Sequence, residues 1–134
     1  MLPSLKTGDA VMSLKIVLLV VAAGGAGTFL RCLIVRAFPL SMLPWGTLTV
    51  NVTGSFLAGL LFVLMKQRFP SLEPYAPVFL IGFLGAFTTF STFALESANM
   101  LVAGEYGRAA LNILIQNASG IAAVFCGICA GRLI

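Results

Sequence analysis

Apolar residues run in four long stretches, at about 14–38, 45–65, 75–102 and 108–132, separated by short segments rich in proline and charge. Each stretch reaches the length of about 20 residues that a helix needs to cross the hydrocarbon core of a bilayer. The connections are brief: Pro39 to Pro44, Lys66 to Pro74, and Ala103 to Gly107. The pattern predicts an all-α membrane protein with four transmembrane helices in one domain over 1–134, and no room for a soluble active site. Open β structure is excluded, because lipid offers no partner to free backbone groups. Lys6 and Lys15 before an apolar run, with Ala22, Ala23 and Gly24 as small residues, also fit a signal peptide. The run continues past those glycines to Phe38, which favours a span. The first eleven residues show no helical pattern and are expected to be disordered.

Composition leads to the same solvent. Of 134 residues, 60% are apolar and only 9% charged, against about 25% charged in a typical soluble domain. A water-soluble globule of this composition would expose large apolar patches and aggregate. The net charge of +4 does not point to nucleic acid, since the basic residues are spread over the helix ends. Lys6, Lys15, Lys66, Arg68 and Arg132 fall on the N-terminal side, and Arg36 and Arg108 on the other. That is a modest lean toward a cytoplasmic N-terminus, weak enough to allow insertion in both orientations and an antiparallel pairing of the chain with itself.

The usual chemical groups are scarce. The chain has no histidine, so metal sites and histidine acid–base chemistry lose their common ligand and base. Cys126 and Cys129 have redox spacing but sit in a membrane span, and with Cys32 they read as small packing residues. No nucleophile–base pair is present, and an enzyme is not expected. The informative residues are polar ones inside the spans, where they cost energy and usually face a bundle interior or a water-filled path. In span one, Gly24, Gly25 and Gly27 precede Arg31. Snorkelling toward headgroups and a fixed cation near the mouth of an anion pathway both fit Arg31. In span two, Thr47, Asn51, Gly54, Ser55 and Gly59 share a face at helical spacing. Asn51 fits either an interhelical bond or a pore-lining donor. In span four, Asn112, Gln116 and Gly120 recur every four residues. They fit either a pathway or an oligomer interface, and Gly127 and Gly131 form a small-residue contact pair.

Span three is the unusual one. Between Gly82 and Phe93 it carries Gly85, Thr88, Thr89, Ser91 and Thr92 among phenylalanines. Glycine and threonine are poor helix formers. A break here would free backbone groups at membrane depth, tolerated only where they line a cavity or are buried in protein. Phe90 and Phe93 share a helical face, and a phenylalanine ring edge is weakly positive. Glu96 follows one turn later and is expected to pair with Arg31 or with backbone donors.

These segments carry a resemblance. From Gly24 to Arg31, from Gly46 through Asn51 to Phe56, and from Gly85 to Phe93 with Glu96, the chain resembles the Fluc/CrcB fluoride channels over nearly its whole length. The Thr88-Thr89-Phe90-Ser91-Thr92-Phe93 run is the most specific match. The resemblance implies a third helix broken near its middle and an antiparallel, dual-topology homodimer of four-helix subunits. It places that dimer in the bacterial cytoplasmic (inner) membrane as a multi-pass protein. It implies passive, fluoride-selective export that gives fluoride resistance. It further implies that Phe90 and Phe93 form an aromatic box beside fluoride, with Asn51 as an amide donor. Ser91 and Thr92 would lie in the pore-forming break and Arg31 near an aqueous vestibule. The carbonyls of Gly85 and Thr88 would hold a central sodium ion at the dimer axis. Family members often place a tyrosine and a serine on the pore side of span four; here Asn112 and Gln116 stand at the comparable positions.

Two other readings compete. Proton-coupled exporters of the small multidrug type are also short four-helix dimers, but they need an acid in the first span, where this chain has Arg31. A structural membrane subunit would show small-residue faces without the Gly85 to Phe93 run.

Overall fold

The computed structural model describes residues 12–39 and 41–134; the expectation of disorder over the first eleven residues, and Lys6 with it, falls outside them. All regular structure among the described residues is helical. Helix α1 spans Leu14–Ala37 and begins at Ser13, whose side chain accepts from the Ile16 N–H. Helix α2, Trp45–Val63, starts directly after Pro44 and continues in wider π-type turns over Leu64–Arg68. A short 3-10 segment, Pro70–Tyr75, leads into a second π-type stretch, Pro77–Leu84. A single turn, α3 (Gly85–Phe87), then precedes α4 (Phe90–Val102) and α5 (Tyr106–Leu133).

Four helical segments are long and apolar enough to cross a membrane: Leu14–Ala37, Trp45–Arg68, Pro77–Val102 and Tyr106–Leu133. The last two are joined tightly because Gly104 takes a positive φ of 75°. It closes α4 with paired bonds, Gly104 N–H to Leu101 O and Glu105 N–H to Met100 O, the glycine-dependent helix stop that lets the chain reverse at once.

Glycines set the distances between helices. A Cβ on Gly127 would stand 2.1 Å from the Phe56 carbonyl oxygen, and one on Gly59 would stand 2.2 Å from that of Val124. The α2–α5 contact is therefore backbone against backbone, as small-residue membrane interfaces are. A second seam joins α1 to the third span, where a Cβ on Gly27 would stand 2.4 Å from the Phe83 carbonyl oxygen. The fully apolar core between these seams is small, centred on Val50, Leu84 and Phe87. Phe83 stacks on Phe87 with ring centroids 5.7 Å apart. Large apolar side chains such as Leu18, Phe29, Leu33, Leu114 and Phe125 face outward. This is the reverse of a water-soluble protein and fits a lipid surround.

Candidate ion pathway

Thr88 and Thr89 both have extended backbone, with φ/ψ of −82°/159° and −148°/104°, between Phe87 and Phe90. In an extended residue the N–H and C=O point to the same side. Asn51 of α2 pairs with both, as a neighbouring strand would. Its Oδ1 accepts from Thr89 N–H at 2.8 Å, and its Nδ2 donates to Thr89 O at 3.2 Å. In a continuous helix the Thr89 N–H would bond the Gly85 carbonyl. The Thr92 N–H would likewise bond Thr88, but it donates to Thr89 Oγ1 at 3.2 Å. Two side chains thus take over two backbone bonds. Gly85 and Thr88 have carbonyls with no intrahelical donor among the described residues. Thr89, buried at 5% exposure, caps α4 and is the pivot of the arrangement. Nothing in the sequence separated it from the three hydroxyl residues beside it.

Asn51 Nδ2 also donates to Gln116 Oε1 of α5 at 3.1 Å. Beside this node lies a cavity of about 200 Å³ whose walls include Asn51, Ser55, Thr88, Phe90, Phe93 and Gln116. Among the described residues no charged side chain lines it. The Phe90 and Phe93 rings meet edge to face, with centroids 5.5 Å apart and planes at 64°. Phe93 is buried, whereas Phe90 is 77% exposed and projects from the subunit. Arg31 lies across Thr89 from this cavity, in a second one with Arg36, Thr89 and Thr92. Ser91 is exposed on the first turn of α4.

Other expected residues sit differently. Glu96 does not pair with Arg31. Its Oε1 accepts from the buried Thr47 Oγ1 at 2.7 Å, in a third cavity under the loop between α1 and α2. Arg31 and Glu96 make no ion pair; the single one among the described residues joins Arg108 to Glu105 at 2.6 Å. Arg108 also holds the Met42 carbonyl with Nε and Nη2, at 2.9 and 2.6 Å, which ties that loop to α5. Asn112 is outside the neutral cavity's walls. It is buried and donates to Ser97 Oγ at 3.0 Å, and Ser97 in turn bonds the Phe93 carbonyl. Cys32, Cys126 and Cys129 are exposed on the subunit surface, not packed inside it.

Comparison with known proteins decides the family. The model described as CrcB-like protein, Camphor Resistance (CrcB), matches residues 18–128. The chain belongs to the CrcB family. The match covers every element of the CrcB node, from Arg31 to Gln116. A protein of Magnetococcus marinus named fluoride-specific ion channel FluC is 46% identical over 118 residues, covering 85% of this chain and 96% of its own. One of the same name from Desulforapulum autotrophicum is 42% identical over 115 residues, covering 84% and 92%. A third, from Coxiella burnetii, is 42% identical over 113 residues, covering 84% and 87%.

Proposed function

We propose that this CrcB protein is a passive, fluoride-selective channel that releases fluoride across the bacterial cytoplasmic membrane and so protects the cell from it. One observation carries the reading: a neutral cavity lined by Asn51, Phe90, Phe93 and Gln116 adjoins extended backbone at Thr88 and Thr89. Fluoride is small and strongly hydrated, so a pore must replace its water with close donors. Amide, hydroxyl and ring-edge donors can do this and still let the ion leave, as conduction requires. A ring of fixed cations would hold it too long. An inside-negative membrane potential then drives the anion outward. The small multidrug-type exporter falls away, because α1 carries no acid to trade protons and the named relatives are channels.

The working unit in this reading is an antiparallel homodimer. Phe90 projects from the subunit, and a second copy would complete the wall around it. The Gly85 and Thr88 carbonyls fit a sodium ion at the axis between copies. They are hard oxygen donors freed from their helical partners, and a two-fold axis doubles two of them to four. Such an ion would supply a fixed positive charge at the centre of the dimer.

Fluoride efflux from proteoliposomes, with chloride as control, tests the reading. Wild-type protein is expected to pass fluoride and not chloride. Phe90→Ile and Asn51→Asp are each expected to slow fluoride by roughly tenfold or more, the size of one lost bond to an ion. Equal fluxes of the two anions would overturn it.

A further inference from the structure

Two side-chain amides meet at the cavity, and the backbone of Thr89 decides what each can do. Asn51 Oδ1 faces the Thr89 N–H and Nδ2 faces the Thr89 carbonyl. Turning the Asn51 amide over would set hydrogen against hydrogen and oxygen against oxygen. A backbone group cannot flip, so the orientation of Asn51 is fixed. An asparagine amide has two donor hydrogens. One goes to Thr89 O and the other to Gln116 Oε1, so Asn51 has none left to give.

The same constraint passes to Gln116. Its oxygen must face Asn51, and its Nε2 must turn away. That Nε2 is buried and makes no hydrogen bond to any described residue, in a side chain only 7% exposed. A buried donor without a partner is unfavourable. Gln116 shares the walls of the neutral cavity with Phe90 and Phe93. The free donor therefore lies where an acceptor stripped of its water would meet ring edges and no fixed charge.

We propose that Gln116, through Nε2, is the side-chain amide that donates to the permeating anion, and that Asn51 is a positioning residue. Asn51 holds Thr89 extended and points the Gln116 amide. The assignment rests on the fluoride-channel reading and names the donor within it. It differs from the expectation that Asn51 itself binds the ion.

Side-chain amide NMR of the channel in lipid nanodiscs separates the two roles. The chain has two glutamines, Gln67 and Gln116, so Gln67→Glu identifies the Gln116 signal without touching the site. With ¹⁵N-labelled glutamine and asparagine, sodium fluoride is expected to shift the Gln116 Nε2 resonances, and sodium chloride is not. The Asn51 Nδ2 resonances should hold still in both. In parallel, Gln116→Met, which keeps the length and removes the donor, should slow fluoride efflux by roughly tenfold to a hundredfold. Its dimer elution and thermal midpoint should stay near wild type. Fluoride-dependent shifts at Asn51 with none at Gln116, or wild-type flux from Gln116→Met, would overturn the assignment. A wild-type channel that passes no fluoride would instead remove the channel reading beneath it. Should Gln116→Met fail to fold, the titration of the Gln67→Glu protein still decides.

Discussion

Thr47 and Glu96 stand 49 positions apart in sequence, yet one hydrogen bond of 2.7 Å joins them inside the subunit. Both fall within apolar spans, and removing the hydroxyl would leave a buried carboxyl oxygen without its donor. Thr47→Val keeps the shape and takes away only that bond. It is expected to lower stability by about 1–3 kcal/mol, read as an earlier thermal unfolding in detergent. The sequence showed that Glu96 was unusual, and it offered Arg31 as the partner because opposite charges are the obvious pairing. The true partner depends on how α2 and α4 are rotated against each other, which local periodicity does not record. The same holds for Asn51: its polarity marked it, but its pairing with Thr89 spans 38 positions and with Gln116 spans 65. Residue types announced a polar site; the division of work between two similar amides was set by a backbone conformation.

Helices in this molecule are spaced by what they lack. Two glycines of α1 make the contrast: a Cβ on Gly27 would stand 2.4 Å from the Phe83 carbonyl oxygen, whereas one on Gly25 meets nothing within 4 Å. Gly27→Ala must push backbone away from backbone and is expected to cost about 1–3 kcal/mol. Gly25→Ala should gain roughly 0.5–1 kcal/mol by removing chain flexibility from a helix interior. Thermal unfolding of the two variants side by side checks the pair. The spans themselves were legible from hydrophobic length alone, because a bilayer demands about 20 apolar residues whatever else a helix does. Their ends were less so. Helix α5 starts at Tyr106, before Arg108, because the charged side chains Glu105 and Arg108 pair with each other across its first turn. Glycine pairs such as Gly127 and Gly131 signalled close contact, but α2 as the element they meet follows from topology and not from spacing.

At the scale of the whole molecule, a passive pore and a coupled transporter differ in what sets the direction of flow. In planar bilayers with equal chloride on both sides, fluoride current is expected to reverse at the fluoride Nernst potential. It should stay there when a proton gradient is imposed; a reversal that followed protons would mark coupling. The glycine seams bear on how such a molecule is made. Each span is apolar enough to enter a bilayer alone, so entry asks nothing of the seams. Docking comes afterwards and rests on them. Biogenesis therefore has two separable stages, and lesions in the seams belong to the second. A chain with Gly59 or Gly127 enlarged should still be integrated in full amount and resist carbonate extraction. It would persist as loose, undocked helices, a population that quality-control proteases of the membrane would recognise.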